Sequence, residues 1–384
     1  MVYTKDEHGI TFSAVDPKAV FIVEHLQANG YETYIVGGAV RDLILGKTPK
    51  DFDIVSSASP SRIKKLFHQA RIIGQRFRLV HVRFGSQVFE VSTFRSLKDG
   101  LTSNTFGTIE EDVLRRDFTV NALFYDPLKQ LVVDYVGGIP DIRKKQIRPI
   151  IPLASIFRDD PVRMIRAIKY AAATDFTLPL FLQWQIKRQA PLLAGISPSR
   201  LTEELFKIIH SPSAVRIIEK MTKFGVYAFL QPNASQLMKE RPDFRIRYLD
   251  SFERISYEGF KGAPGEVLAV LIQDYLEGLT QWDSEIPDLY KNTFMAARRF
   301  VLPINPPRAE LEQALRRLFK AHGITIKKSR VSDWGRRSFP GTPNKEDSPL
   351  RPGELLPKRA RQHTRKSEGT VEQMTQDIPP GSAM

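Results

Sequence analysis

The chain has 384 residues, a formal net charge of +14 and no cysteine. This length allows two or three domains, and the lack of cysteine excludes a disulfide scaffold, a thiolate zinc site and a catalytic thiol. Residues 1–16 carry no signal-peptide pattern, and the longest apolar run, residues 267–272, is far shorter than the ~20 residues of a membrane span. The composition therefore predicts a basic protein that is soluble and cytoplasmic.

Residues 17–150 alternate between strand-like and helix-like patterns, which indicates a mixed αβ domain. β-Branched and aromatic residues mark the strands, and glycines or a Ser-Pro pair mark helix ends and beginnings. A Gly-Ser pair at 85–86, between two strand-like runs, predicts a hairpin. The predicted elements are strands at 34–36, 52–55, 79–84, 88–93, 123–125 and 131–133 and helices at 39–45 and 60–67.

The first segment that carries chemistry is Gly37-Gly38-Ala39-Val40-Arg41-Asp42, which is followed by Asp51 and Asp53. The glycine pair lies between a strand and a helix, where backbone N–H groups can approach a phosphate and Arg41 can pair with its oxygens. On a strand, Asp51 and Asp53 point to the same face, and such a carboxylate pair favours a divalent cation, here Mg²⁺. Either motif alone is weak, but the two together, in strand–turn–helix–turn–strand order, are a much stronger signal of a phosphate and metal site.

Glu90, in the strand-like run 88–92, is a candidate third carboxylate for a two-metal site. It lies between two large apolar residues, where a charge is costly without a partner. An edge-strand glutamate that faces solvent is an equally good interpretation of the same pattern.

Residues 115–122, Arg-Arg-Asp-Phe-Thr-Val-Asn-Ala, combine two arginines with an acid and an amide. Arg116 and Asn121 are suited to phosphate and sugar contacts, and Asp117 is suited to orient them. A capped and salt-bridged helix start explains this segment equally well.

Residues 159–166 place Asp160, Arg163 and Arg166 three apart, so that they share one face of a helix. Such a face can hydrogen-bond the edge of a nucleobase, with the aspartate accepting and the arginines donating. Salt bridges within the helix are the alternative.

The second half of the chain differs in character from the first. Apolar residues recur at helical spacing, so residues 155–320 are predicted to be all-helical, and the composition beyond residue 338 predicts a disordered tail. Residues 316–366 hold +11 of the net charge, which indicates a polyanionic partner, with a solvated tail as the alternative. The candidate residues for that partner are Lys327, Lys328, Arg330, Arg336, Arg337, Lys358, Arg359 and Arg361.

Together these motifs resemble the class II nucleotidyltransferases of the DNA polymerase beta superfamily, which comprise bacterial poly(A) polymerases and CCA-adding tRNA nucleotidyltransferases. The resemblance covers residues 34–204 and departs at Asp159, where glutamate is usual. The site residues that it implies are Asp51, Asp53, Asp117 and Glu90 for catalysis, with Asp51, Asp53 and Glu90 holding two Mg²⁺ ions, and Gly37, Gly38, Arg41, Arg116, Asn121, Asp160, Arg163 and Arg166 for the nucleotide.

Two further segments favour the poly(A) polymerase branch. Residues 72–82 are similar to that branch's signature, with Gln75 at a position that is usually basic, and residues 197–204 resemble its helix entry. None of the seven histidines is followed by aspartate, so the phosphohydrolase domain of some CCA-adding enzymes leaves no signature. A CCA-adding enzyme is the first alternative, and a non-catalytic RNA-binding protein on the same scaffold is the second.

The resemblance implies an α+β fold in which a mixed-sheet, polymerase-beta-like head precedes an all-helical neck and body. The expected domains are a catalytic head at 17–150, a neck with the nucleotide-selecting helix at 151–215, an RNA-binding body at 216–330 and a basic tail at 331–384. The implied activity is template-independent transfer of AMP from ATP to RNA 3′ ends, as in mRNA processing by polyadenylation linked to RNA decay. RNA and RNA-decay proteins are the expected partners.

Overall fold

The computed structural model describes residues 1–74, 79–96, 106–257, 263–283 and 285–326. The chain divides into two compact units, Met1–Leu193 and Ala194–Met384. This division falls inside the segment 151–215 that the sequence predicts as a neck, and the four predicted domains stay predictions. All eight basic residues assigned to a polyanionic partner, from Lys327 to Arg361, lie outside the described residues, as do residues 75–78 of the poly(A) polymerase signature.

The first unit is built on a mixed sheet that has eight strands among the described residues. The strands are β1 (Val2–Tyr3), β2 (Thr33–Val36), β3 (Asp53–Ser56), β4 (Ala70–Ile73), β5 (Leu79–Phe84), β6 (Gln87–Thr93), β7 (Leu123–Asp126) and β8 (Leu131–Asp134). Their order across the sheet is β1-β8-β7-β2-β3-β6-β5-β4. Neighbouring strands are antiparallel except for β3 and β6, which are parallel. The strands that flank the first motifs, β2 and β3, are therefore the two central ones.

The first unit also contains nine α-helices in the described ranges. They are α1 (Lys5–His8), α2 (Pro17–Ala28), α3 (Gly38–Ile44), α4 (Pro60–Leu66), α5 (Ile109–Arg115), α6 (Gly138–Arg143), α7 (Ile156–Asp159), α8 (Val162–Thr174) and α9 (Leu180–Gln189). One buried cluster packs Val36 and Val55 of the sheet against Val113 of α5 and Phe124 of β7. Each such side chain contributes roughly 1.5–3 kcal/mol when it leaves water, so this packing fixes α5 against the sheet.

The second unit is helical throughout the residues that the structure describes. Its helices are α10 (Pro198–Ile209), α11 (Ala214–Lys223), α12 (Tyr227–Leu230), α13 (Pro232–Glu240), α14 (Pro242–Tyr257), α15 (Pro264–Glu277), α16 (Ile286–Val301) and α17 (Arg308–Ala321). Helix α15 packs closely on α17, and the buried hydroxyls of Tyr227 and Tyr248 lie 2.9 Å apart. The α+β prediction, with a mixed sheet before an all-helical region, is confirmed. Each described helix is too short or too polar to cross a membrane.

Short polar residues set the ends of several of these elements. Thr108 begins α5 with a capping box, in which Glu111 returns a bond to the Thr108 backbone N–H. Asp134 ends β8, and its two carboxylate oxygens accept hydrogen bonds from the backbone N–H groups of residues 136–139. Asp16 caps α2 by accepting from the Lys18 N–H. Each of these caps fixes the point at which its element begins or ends.

Candidate active site

A cavity of about 520 Å³ opens beside strands β2, β3 and β6 in the first unit. It is lined by six arginines and five carboxylates, together with glycines, Asn121 and Tyr170. The charged residues are Arg41, Arg95, Arg115, Arg116, Arg163, Arg166, Asp53, Glu90, Asp112, Asp117 and Asp160. A concave surface with this density of guanidinium groups is suited to a multiply charged anion.

The cavity lining includes the turn between β2 and α3. Gly37 caps α3 with φ of +75° and ψ of −134°, a backbone conformation that residues with a Cβ rarely adopt. A Cβ at this position would lie 3.8 Å from Arg116 Nη1 and 4.0 Å from Asp53 Oδ2, so space is available and backbone conformation is what requires glycine. The turn therefore places Gly37 and Gly38 beside the charged groups of the site.

Arg41 is held in the cavity wall by contacts on three sides. Its Nη1 donates to Asn121 Oδ1 at 2.5 Å, its Nε and Nη2 contact Asp42 Oδ1 at 2.9 and 2.8 Å, and its guanidinium carbon lies 5.4 Å from the centre of the Tyr170 ring. The residue is only 8% exposed. Arg41 is thus a fixed cation whose orientation is set before any ligand binds.

Arg116 is positioned mainly by Asp112, one helical turn earlier. Its Nη2 and Nε donate to Asp112 Oδ2 at 2.8 and 3.1 Å, and its Nη1 donates to the Asn121 carbonyl at 3.3 Å. The guanidinium also lies 5.0 Å from the centre of the Phe124 ring. Asp112 itself is buried, so its charge is partnered by a cation at the cavity wall.

Asp117 and Arg166 form an ion pair across the cavity wall. Asp117 is buried, and its Oδ2 lies 3.0 Å from Arg166 Nε. Its other oxygen accepts from the Phe118 backbone N–H at 2.8 Å. Arg166 in turn donates to the Tyr170 hydroxyl from two nitrogens at 3.2 Å. Asp117 therefore fixes Arg166, whereas the sequence predicts that it orients Arg116 and Asn121. Its catalytic role stays a prediction.

Asp160 and Arg163 both reach the cavity from the start of α8. Helix α8 begins at Val162, so Asp160 precedes the helix, and its Oδ1 accepts from the Val162 N–H at 3.2 Å. Arg163 is 8% exposed and donates from Nη1 to the Ile156 carbonyl at 3.2 Å. Together with Arg166, these residues line the same cavity, although Asp160 lies before the helix and not on its face as the spacing predicts.

Burial has depressed the basicity of several of these arginines. Desolvation lowers the pKa of Arg163, although the charges of Asp160 and Asp117 oppose this shift. Desolvation also lowers the pKa of Arg95 and of Arg115. The charged form of each guanidinium group is disfavoured because it has lost hydration. An anion that enters the cavity can replace that lost hydration for all three groups.

The carboxylates predicted to hold metal are only partly brought together. Ile54 of β3 pairs with Val91 of β6, so the preceding residues Asp53 and Glu90 lie side by side on neighbouring strands, and both line the cavity. Asp51 precedes β3, which begins at Asp53, and this exposed residue is not among the described residues that line the cavity. The strand starts later than the sequence predicts, so Asp51 has no cross-strand neighbour to fix it.

The described residues contain no group of three or more acidic or histidine side chains placed to hold a metal ion. Mg²⁺ is commonly bound by one or two carboxylates, with substrate phosphates and water completing its six ligands. The Asp53 and Glu90 pair, adjacent to a cavity built for an anion, fits this mode of binding. The metal-binding roles of Asp51, Asp53 and Glu90 stay predictions.

The structure adds cavity residues that the sequence analysis did not assign. Asp112, Arg95 and Tyr170 are the most informative of them, because each contacts or faces a predicted site residue. Asp112 carries a local signal, since an acid four residues before an arginine on a helix forms an i,i+4 pair. Arg95 has no such signal, because only the sheet brings it to the cavity.

Comparison with known proteins gives two matching family models. "Poly A polymerase head domain" matches residues 33–148, and "Probable RNA and SrmB- binding site of polymerase A" matches residues 175–238. Poly(A) polymerase I of Salmonella typhi is 37% identical over 258 residues, which is 63% of this chain and 56% of the relative. Poly(A) polymerase I of Haemophilus influenzae is 40% identical over 59% of this chain and 53% of its own length.

The other branch of the family is also represented. The CCA-adding enzyme of Geobacillus stearothermophilus is 36% identical over 56% of this chain and 54% of its own length. A crystal structure of the Bacillus stearothermophilus CCA-adding enzyme in complex with CTP is similar in fold, with a TM-score of 0.56, 25% identity and coverage of 92% of this chain and 100% of that one. This chain spans about half the length of the curated relatives it matches.

The two family models match consecutive regions, and the first spans the glycine turn, both strand carboxylates and the Arg-Arg-Asp segment that line the cavity. These two regions are therefore similar to domains of the poly(A) polymerases, and the chain resembles the class II nucleotidyltransferases, which contain the poly(A) polymerases and the CCA-adding enzymes.

Proposed function

We propose that the protein transfers AMP from ATP to the 3′-hydroxyl of RNA and releases pyrophosphate. The observation that carries this proposal is the position of Asp53 and Glu90, side by side at the border of a cavity lined by six arginines. Nucleotidyl transfer needs an anion-binding site for the triphosphate next to carboxylates that activate the attacking oxygen. No covalent intermediate with the protein is required.

The triphosphate occupies the part of the cavity formed by the glycine turn and the fixed arginines. Arg41 and Arg116 are already oriented by Asn121 and Asp112, so little conformational entropy is lost when they pair with phosphate oxygens. The buried Asn121 Nδ2 has no hydrogen-bond partner among the described residues. Because a buried donor of this kind is costly to leave unpaired, we assign it to a phosphate or ribose oxygen of the nucleotide.

Two Mg²⁺ ions are the proposed cofactors. Asp53 and Glu90 would hold them together with phosphate oxygens of the substrate, and Asp51 is the third predicted ligand. When bound, Mg²⁺ lowers the pKa of a coordinated hydroxyl and offsets negative charge on the leaving pyrophosphate. Asp117 maintains the ion pair with Arg166, so this arginine stays directed into the cavity during the reaction.

The base of the nucleotide is assigned to the residues at the start of α8. The Asp160 carboxylate can accept a hydrogen bond from the exocyclic amino group of adenine, and Arg163 can donate to a ring nitrogen. Arg163 is buried and held by the Ile156 carbonyl, which limits its freedom to adapt to a different base. Asp160 and Arg163 are therefore the proposed determinants of nucleotide choice.

Addition of CCA to tRNA is the alternative within the family. The first curated relatives, named Poly(A) polymerase I, are 37–40% identical, and the CCA-adding enzymes are 34–36% identical. We favour polyadenylation on this difference and on the signature in residues 72–82. We further propose that the activity belongs to mRNA processing and RNA decay in the cytoplasm, with RNA-decay proteins as partners. The RNA-binding description of the second family model supports RNA contact by residues 175–238.

The test is incubation of the full chain with labelled ATP or CTP, Mg²⁺ and a 12-nucleotide RNA that is unrelated to tRNA. We expect a ladder of many adenosines with ATP, little addition with CTP and no product from Asp53→Asn. When a tRNA that lacks its CCA end replaces the 12-nucleotide RNA, incorporation of both nucleotides that ends after completion of CCA would support the alternative. RNA binding without any incorporation would indicate a non-catalytic protein.

A further inference from the structure

A second cavity, of about 550 Å³, lies at the edge of the sheet. We call it the edge groove, and its lining includes His68, Arg71, Ile73, His81 and Arg83. The described residues that line it include two arginines and two histidines but no carboxylate. A concave basic surface of this size is suited to an anionic ligand about as large as a nucleotide.

The strand register places the edge groove on the same face of the sheet as the cavity of about 520 Å³ at the candidate active site, which we call the arginine-lined cavity. Arg71 of β4 pairs with His81 of β5, and His81 pairs with Glu90 of β6. Ile73 pairs with Leu79. Cross-strand partners share a face of a sheet, and Leu79 and Glu90 line the arginine-lined cavity. The two cavities therefore adjoin each other along β5.

The residues of this shared face form a row that changes in charge. From the centre of the sheet to its edge the row is Asp53, Glu90, His81 and Arg71, with His81 Nε2 3.6 Å from Glu90 Oε1. The alternate residues Val80 and Val91 are buried on the opposite face. The row is thus negative beside the proposed reaction centre and becomes positive at the sheet edge.

We propose that the edge groove binds the sugar–phosphate backbone of single-stranded RNA upstream of the 3′ end that reacts. This inference rests on the proposed function for the position of that end. Three strand spacings separate Asp53 from Arg71, a distance of about 14 Å, which corresponds to roughly four nucleotides at the ~3.4 Å rise of a stacked strand. The groove therefore meets the RNA about three or four nucleotides from its 3′ end.

The groove offers both kinds of contact that single-stranded RNA requires. Arg71 and Arg83 are exposed and can pair with phosphates, while His81 can donate to a phosphate or stack on a base. Ile73 is 37% exposed and provides an apolar surface for a base. Backbone charge with side chains that stack on any base gives binding without sequence preference, as a template-independent reaction requires.

The first experiment compares primers of different length with the full chain and its Arg71→Ala and Arg83→Ala variants. With a 12-nucleotide RNA we expect KM for RNA to rise about three- to tenfold in each variant, since each loses a phosphate contact. The KM for ATP should stay unchanged. A dinucleotide primer is too short to reach the groove, so its KM should be equal in variant and parent.

Arg62→Ala is the matched control, because Arg62 is exposed on α4 and lines neither cavity. An equal rise in KM for both primers, or a rise in the control of the same size, would overturn the assignment of the groove. A shallower salt dependence of 12-nucleotide binding in Arg71→Ala, but not in Arg62→Ala, would support it.

The second experiment does not depend on catalysis. RNAs that end in a 3′-deoxynucleotide and carry 4-thiouridine at one of the last six positions are photo-crosslinked to the full chain, and the modified peptides are identified. We expect adducts within residues 68–74 and 79–83 from the third and fourth positions. If the protein forms these adducts but adds no nucleotide to an ordinary RNA primer, the assignment of the groove to RNA stands and the proposed function is refuted. Polymerisation without these adducts, or capture of a peptide strand at β4 in place of RNA, would refute the groove.

Discussion

Asp112→Asn tests whether the cavity's cations are oriented by buried partners before the nucleotide binds. In the parent, two nitrogens of Arg116 contact one Asp112 oxygen at 2.8 and 3.1 Å. Hydrogen bonds to charged groups contribute about 1.5–3 kcal/mol. The asparagine keeps an acceptor but loses the charge, and the Arg116 side chain is 21% exposed and regains some water. We therefore expect a loss of about 1–2 kcal/mol in the free energy of unfolding.

This loss corresponds to a fall of roughly 2–8 °C in the melting midpoint of a unit of this size, which differential scanning calorimetry can measure. The same substitution removes the charge that orients Arg116, so this arginine is no longer held in place for the nucleotide. We therefore expect KM for ATP to rise about tenfold, equivalent to ~1.4 kcal/mol. Glu110→Gln, on an exposed face of the same helix, is the matched control and should change stability by less than about 0.5 kcal/mol. A KM for ATP within about twofold of the parent in Asp112→Asn would refute the idea that Asp112 orients Arg116 for the nucleotide.

The remaining predictions concern metal, base, tail and pH. Asp53→Asn should reduce incorporation at least 100-fold while RNA affinity in a filter-binding assay stays the same, and near-normal turnover would exclude Asp53 as a metal ligand. Arg163→Ala should lower the ratio of kcat/KM for ATP over CTP by about tenfold, and a variant with full ATP preference would locate selection elsewhere. Deletion of residues 338–384 removes seven positive charges and should reduce the slope of log K against log salt by about 0.7 for each lost phosphate contact, whereas parallel lines would show that the tail does not bind RNA. Burial raises the pKa of the Asp274 carboxyl in the folded protein. The neutral carboxyl therefore stabilises the fold fully below the pKa of an ordinary aspartate, near pH 4, and this stability is lost as pH rises through the folded pKa. Asp274→Asn, which can keep the bond from Ser251, should therefore raise the melting midpoint at pH 7 but not at pH 3, and an equal effect at both values would contradict this.

The parts of the site that follow from local sequence were predictable. A glycine pair between a β-rich run and a helical run leads to a turn with positive φ, and Gly37 has this conformation. Residues spaced three apart share a helix face, and Arg163 and Arg166 line the cavity together as that spacing requires. In each case the chemistry is set within a few residues, so sequence alone is enough to place it.

The parts that depend on sheet order could not be predicted. The strand β4 has only four residues, and alternate ones are more exposed, so its pattern is too short to distinguish it from a loop. Arg95 reaches the cavity only because β6 lies beside β3. The predicted face of Asp51 assumed that the strand includes it, but pairing begins at Asp53, and pairing partners are not encoded by local periodicity.

Under the proposed function, the arrangement of charge in the arginine-lined cavity would let it bind a triphosphate and still release pyrophosphate. Three of its arginines already form ion pairs within the protein, with Asp42, Asp112 and Asp117 as the partners. Each pair orients the cation and also weakens its net attraction for an anion, so binding relies on several aligned moderate contacts. Burial also lowers the pKa of Arg163, Arg95 and Arg115, so these three guanidinium groups have lost hydration that a bound ligand can replace. Of these, Arg163 is assigned to the base, so in the proposed reaction its lost hydration is replaced when the base binds, whereas the phosphates are held by contacts that the departing pyrophosphate can exchange for water.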